Sequence, residues 1–128
     1  MSNKRHILVV DDDQFMLFTL EQFLLIKGFE VDTARDGKEA QEKVLKNRYD
    51  LLITDINMPR ATGFELAQFI KDKNIGLPII LISASPEAED YAKAKSLGDI
   101  ALLTKLIPLN ELYDTIEKTI DIRKKEDV

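Results

Sequence analysis

Four short segments set carboxylates, hydroxyls and an amine directly after apolar runs: Asp11-Asp12-Asp13, Thr54-Asp55-Ile56-Asn57-Met58-Pro59, Ser83-Ala84-Ser85 and Thr104-Lys105. Asp11, Asp12 and Asp55 together carry −3 and Lys105 carries +1, so a site built from them stands at −2. Oxygen ligands at that charge, with no imidazole or thiolate beside them, suit a hard divalent cation. Mg²⁺ fits best, because it is held by one or two carboxylates and keeps several waters. A divalent cation beside a carboxylate and an ammonium is the arrangement for phosphoryl transfer, where catalysis is mainly positioning and charge neutralisation. The carboxylate can itself be the nucleophile, which gives an aspartyl phosphate.

Composition removes the main competitors. There is no cysteine, which excludes disulfides, iron–sulfur clusters, thiolate zinc sites and redox motifs. The single histidine, His6, excludes a site of clustered imidazoles. With 18 basic against 23 acidic residues the net charge is −5, so the chain has no general attraction to nucleic acid. No apolar run approaches the ~18 residues of a membrane span, and Met1-Ser2-Asn3-Lys4-Arg5 lacks the apolar stretch of a secretory signal. Neither GxxxxGK[ST] nor GxGxxG occurs. The 128 residues read as one cytoplasmic domain.

The elements that must position these groups alternate along the chain. Ile7-Leu8-Val9-Val10, Leu51-Leu52-Ile53 and Ile79-Ile80-Leu81-Ile82 are continuous apolar runs, which reads as strands buried on both faces. Phe29-Glu30-Val31-Asp32-Thr33-Ala34 alternates, as an edge strand does, and Ile100-Ala101-Leu102-Leu103 closes the series. Helical patterns lie between them near 14–27, 37–47, 63–73, 87–96 and 109–123. Gly28 and Gly98 sit where a left-handed residue ends a helix, Pro86 and Pro108 where a first turn starts, and Pro78 opens a strand. Alternating strands and helices imply an α/β fold, a doubly wound five-stranded parallel sheet in the order 2-1-3-4-5. Ligands of such sheets bind outside the carboxyl ends of the strands, where all four segments fall.

Ile7-Leu8-Val9-Val10-Asp11-Asp12-Asp13, then Asp55-x-Asn57-Met58-Pro59 with Gly63, then Ser83-Ala84, then Lys105, resembles the receiver domain of two-component response regulators. The resemblance covers about residues 4–124 and implies a flavodoxin-like (βα)5 fold. It implies that Asp55 is the phosphoacceptor and that Asp12 and Asp55 ligate Mg²⁺ by carboxylate. Asn57 would add its backbone carbonyl, and Asp11 would act mostly through a metal-bound water. Lys105 would pair first with the acceptor carboxylate and then with phosphoryl oxygens. Ser83 would donate its hydroxyl to the phosphoryl group, and the small Ala84 leaves that group room to enter. The implied partners are a sensor histidine kinase or a histidine phosphotransfer protein, and a downstream protein target. With no output domain expected after residue 124, the expected output is protein contact and not DNA binding, and the resemblance implies a phosphoacceptor and not an enzyme with its own substrate.

Blander readings compete at several positions. One aspartate of Asp11-Asp12-Asp13 is wanted as a helix cap, and Asp13 is placed for it. Haloacid-dehalogenase phosphatases also use an aspartyl phosphate, but they need a second acid two residues on, where this chain has Asn57. Three aspartates after the first strand would repel the flavin phosphate of a flavodoxin. His6 reads as structural or solvated.

Two positions depart from the receiver pattern. Leu106 stands where the family usually has proline after the lysine; a cis bond before a non-proline residue costs about 2.5–4 kcal/mol, so a trans Lys105–Leu106 bond is expected. Leu102 stands where receivers commonly carry Tyr or Phe, so signalling would use another response, such as Leu102 packing or Tyr91. These departures support an alternative, a phosphorylation-independent docking module. The first helix is unusual as well. Met16, Leu20, Phe23, Leu24 and Lys27 share the arc expected to face the sheet, while Phe15, Phe18, Leu25 and Ile26, with Gln22, form a second apolar stripe. That stripe is either packed on the last helix, beside Leu109, Leu112, Ile116 and Ile120, or a surface for partner docking or self-association.

Overall fold

The computed structural model describes residues 4–98 and 100–126, the last five by their backbone alone. Ten elements alternate: β1 (His6–Val10), α1 (Gln14–Ile26), β2 (Glu30–Ala34), α2 (Gly37–Lys46), β3 (Leu51–Asp55), α3 (Gly63–Asp72), β4 (Ile79–Ser83), α4 (Ala88–Ser96), β5 (Ala101–Thr104) and α5 (Leu109–Glu126). All four strand pairings are parallel, in the order β2-β1-β3-β4-β5. The expected architecture is therefore the observed one, and element boundaries differ from the sequence reading by a few residues at most.

Strand alternation divides the core in two. Leu8, Val10, Leu52, Leu81 and Leu102 point to the side covered by α2, α3 and α4. Ile7, Val9, Leu51, Ile53, Ile80 and Ile82 point to the side covered by α1 and α5, where Leu20, Leu24, Leu112, Ile116 and Ile120 meet them. Each fully buried Leu or Ile contributes about 1.5–3 kcal/mol relative to exposure, which explains why β1, β3 and β4 hold the centre. The edge strand β2 keeps polar Asp32 and Thr33 half-buried instead.

Caps fix where the helices begin. The Asp13 carboxylate accepts from the N–H groups of Phe15 and Met16 at the start of α1, a contact worth about 1 kcal/mol. Asp36 caps α2 by accepting from the Glu39 N–H, and Thr62 with Glu65 forms a reciprocal capping box on α3. Gly28 and Gly98 take φ of 93° and 118° after α1 and α4, the left-handed conformation their positions require. Pro86 lies one residue outside the α4 cap at Glu87 and so precedes the first turn.

The α1 wheel needs two corrections. Leu17 joins Leu20 and Leu24 on the buried face, and Lys27 leaves it. Lys27 is exposed, its ammonium resting over the rings of Phe23 at 5.6 Å and Tyr113 at 4.9 Å, because a long stem can cover an apolar seam while its charge stays in water. The second stripe does not pack on α5: Phe15, Phe18, Leu25 and Ile26 are 78%, 60%, 46% and 82% exposed.

Candidate functional site

The carboxyl ends of β1, β3, β4 and β5 bring the four segments to one sheet edge. Asp11 directly follows β1, and its N–H extends the ladder by donating to the Ala34 carbonyl at 3.1 Å. Asp55 is the last residue of β3, Ser83 the last of β4, and Lys105 the first after β5. The two-residue alternation sends Asp11, Asp55 and Lys105 toward the side of α1 and α5, and Ser83 toward the other side.

Gly63 makes the turn beneath Asp55 possible. A Cβ on Gly63 would lie 2.3 Å from the Asp55 carbonyl oxygen, so only glycine lets α3 start this close to the strand end. The Gly63 N–H then donates to the Ile56 carbonyl at 2.8 Å and closes the loop. Within it, Asn57 is exposed and its N–H donates to Asp55 Oδ1 at 3.3 Å, and the Thr54 hydroxyl lies 3.7 Å from Met58 Sδ.

The acids are buried to different degrees. Asp11 is 0% and Asp55 4% exposed, whereas Asp12 faces solvent. One carboxylate oxygen from each of Asp11, Asp12 and Asp55 can be chosen so that all lie within 4.8 Å of one another. Lys105 Nζ sits 2.9 Å from Asp11 Oδ2 and 3.1 Å from Asp55 Oδ2. Among the described residues this buried Asp11 oxygen has no partner besides Lys105, so one of its two lone pairs is open to a further ligand. An oxygen-only donor set, one open buried carboxylate oxygen and a −2 balance fit a hard cation such as Mg²⁺.

Burial raises the Asp11 pKa, against the lowering effect of the Asp13 N–H bond and Lys105, while the charge of Asp55 adds to the rise. Burial also works against the Lys105 charge, but Asp11 and Asp55 outweigh it and raise its pKa above the ordinary lysine value. The lysine is thus a fixed cation between two acids.

Ser83 is buried, and its Oγ accepts from the Ser85 N–H at 3.3 Å. The Lys105 N–H donates to the Ser83 carbonyl at 2.8 Å, so backbone bonding ties these two positions together. Lys105 keeps its reach to both acids with Leu106 after it, and no peptide bond among the described residues is cis. The Leu106 side chain points into solvent while its N–H donates to Thr104 Oγ1 at 3.2 Å. Leu102 is buried with Ala94 and Phe64, and Tyr91 is half-exposed on α4.

A second polar cluster escaped the sequence reading. The Tyr49 hydroxyl donates to Asp32 Oδ2 at 2.7 Å, His6 Nε2 lies 3.3 Å from the same oxygen, and the His6 and Tyr49 rings meet edge-on at 4.7 Å. These groups pack between β1, β2 and the start of β3, away from the acids. His6 is structural here. Nothing local in the sequence signals the contact, since its three residues come from three separate segments.

A buried acid pair bridged by a lysine at the carboxyl edge of a 2-1-3-4-5 parallel sheet defines a class of signalling domain. Residues 7–117 match the family model of the response regulator receiver domain, and the chain belongs to that family. It is 38% identical over 112 residues to the sensor protein EvgS of Escherichia coli K12, spanning 88% of this chain and 9% of that protein. It is 34% identical over 117 residues to the transcriptional regulatory protein RprY of Bacteroides fragilis, spanning 91% of this chain and 50% of that one. The chain thus spans half or less of the length of these two relatives. Among solved structures, a CheY-like receiver domain protein from Methanospirillum hungatei superposes with a TM-score of 0.90 at 27% identity, covering 97% of this chain and 99% of the other. The response regulator TrrA of Thermotoga maritima, in complex with Mg(2+)-BeF, gives 0.81 at 33% identity, covering 90% and 98%.

Proposed function

We propose that this domain accepts a phosphoryl group on Asp55 from the phosphohistidine of a sensor kinase or phosphotransfer protein. The placement of Lys105 Nζ 2.9 Å from Asp11 and 3.1 Å from Asp55 carries the reading, because it puts a cation where negative charge must be neutralised. A carboxylate oxygen of Asp55 attacks phosphorus, the P–N bond to the donor imidazole breaks, and its electron pair stays on the imidazole. Water later splits the acyl phosphate, releasing phosphate and restoring the carboxylate. Asp12, Asp55 and the Asn57 carbonyl would hold Mg²⁺, with Asp11 acting mostly through a bound water; when present, the cation supplies charge neutralisation for the transferring oxygens. The relative TrrA, solved with Mg(2+)-BeF, supports this ligand chemistry.

In this reading Lys105 and the Ser83 hydroxyl contact the phosphoryl oxygens once the group is in place. Their contacts then favour one of two arrangements of the loops that carry them, and α4, β5 and α5 present the difference to a protein target. The kinase partner places the chain in the cytoplasm, where ATP charges such donors. The apolar stripe Phe15, Phe18, Leu25 and Ile26 is a surface for partner docking or self-association. The second reading, a docking module that works without phosphorylation, draws on Leu102 being packed in the core with no aromatic switch at its position.

Incubation with Mg²⁺ and acetyl phosphate, followed by intact-mass measurement, separates the two. An added phosphoryl mass that needs both Mg²⁺ and Asp55, and is missing in Asp55→Asn, is the expected result. A folded protein that never acquires the mass favours the docking module.

A further inference from the structure

The turn between β2 and α2, residues 34–37, contributes no group to the chemistry above, yet it touches both loops that carry it. On one side the Ala34 carbonyl accepts the Asp11 N–H. On the other, Gly37 is buried against the loop between β3 and α3, so that a Cβ built on it would fall 2.4 Å from the Ala61 carbonyl oxygen and 2.5 Å from the Ala61 Cβ. Next to this contact, Arg60 adopts φ of 71° and sets a guanidinium nitrogen 3.5 Å from Asp36 Oδ2. The same Asp36 caps α2.

We propose that this turn braces the cation site and that Gly37 is a positioning residue: it sets how closely the Asn57-bearing loop seats beside the acids. The inference rests on the Mg²⁺ reading given above. Gly37 does not occupy the left-handed region, so backbone freedom does not explain it. Alanine has the higher helix propensity at such a position, so close approach is what glycine provides here. Relieving the 2.4 Å contact to an ordinary 3.4 Å demands a retreat of about 1 Å. The far end of the loop is fixed, because Gly63 is bonded to Ile56 and has no space beneath Asp55. The part of the retreat that α2 does not take up falls on residues 57–62, the span that carries Asn57 and Met58. Mg²⁺ tolerates little, since it demands near-octahedral geometry at about 2.0–2.1 Å.

Calorimetric titration of the whole chain with MgCl2 tests the brace, with circular dichroism to check folding. Gly37→Ala is expected to stay folded and bind Mg²⁺ at least fivefold more weakly, while Arg60→Ala, which removes only an exposed contact, weakens it about twofold. Acetyl phosphate labelling of Gly37→Ala should recover its wild-type extent at saturating Mg²⁺, as a displaced ligand loop requires and a lost reacting group does not. A folded Gly37→Ala with wild-type Mg²⁺ affinity overturns the brace. A wild-type chain that binds no Mg²⁺ overturns the cation reading and the brace with it. Should Gly37→Ala fail to fold, the amide resonances of Asp36 and Gly37 in the wild type must shift with the same Mg²⁺ midpoint as that of Asp12; unmoved resonances reject the proposal.

Discussion

The ammonium of Lys105 bridges Asp11 and Asp55, lying 2.9 Å from one carboxylate and 3.1 Å from the other, while both acids are buried. Two buried carboxylates on neighbouring strands repel each other and are desolvated, so this cation is a structural requirement of the metal-free fold. Lys105→Met keeps the stem and removes the charge. Breaking a buried pair costs about 3–5 kcal/mol, and because Lys105 is 18% exposed and Asp11 can take up a proton, about 2 kcal/mol is expected. Mg²⁺ should then raise the melting midpoint of Lys105→Met by more than it raises that of the wild type, since it replaces the missing charge. Thermal scans with and without MgCl2 check this; equal Mg²⁺ shifts in the two proteins would refute it.

Asp12 is the exposed acid of the three, so its charge adds repulsion without contributing to the core. Asp12→Asn should stabilise the metal-free fold by about 0.5 kcal/mol, the scale of exposed charge pairs. It should also weaken Mg²⁺ binding at least tenfold. Opposite signs from one substitution distinguish a ligand from a structural acid: loss of stability together with loss of binding would make Asp12 structural.

The Tyr49–Asp32 hydrogen bond predicts the pH limbs of stability. Burial opposes the Asp32 charge, but the Tyr49 hydroxyl and His6 outweigh it and hold its pKa below the usual 3.8. A depressed acid adds stability above its unfolded pKa and loses it as pH falls through the folded value, so this contribution fades below about pH 4. Burial, then Asp32, raises the Tyr49 pKa above 10, so its contribution is complete below pH 10 and declines as pH rises beyond that. Tyr49→Phe should cost about 1.5 kcal/mol at pH 7 and flatten both limbs. Denaturant midpoints at pH 3, 7 and 10.5 measure it; limbs as steep as in the wild type would reject the assignment.

The fold was legible because each central strand is a continuous apolar run that leads into the residue it must present: Val10 into Asp11, Ile53 through Thr54 into Asp55, Ile82 into Ser83. Position along a strand is local information, and so is the demand of Asp13 for the first N–H groups of α1. What stayed hidden is contact between segments far apart in the chain. The seating of Gly37 on Ala61 and the sharing of Asp32 by Tyr49 and His6 depend on segments distant in the chain, with no periodicity to betray them. The wheel omits Leu17 from the sheet-facing arc and puts Lys27 on it, because α1 is apolar on two sides and its pattern alone does not say which stripe is covered.

The uncovered stripe of α1 yields the last prediction. Phe15, Phe18, Gln22 and Leu25 follow three-, four- and three-residue steps, the spacing of a helix seam, with Ile26 beside it. Large apolar side chains bring about 150–250 Å² each, so exposures of 78%, 60%, 46% and 82% leave about 500 Å² bare. That is at the upper range of patches on monomers and below the ~800 Å² per partner of a stable interface. The stripe therefore supports weak, concentration-dependent pairing and not a permanent dimer. Sedimentation equilibrium should find association of the wild type only at high concentration and none for the Phe18→Ser, Leu25→Ser variant. Both changes are on the surface, so unfolding free energy should move by no more than about 0.5 kcal/mol per site. An unfolded variant would mean the stripe belongs to the core, and a variant that associates as the wild type does would remove self-association through α1.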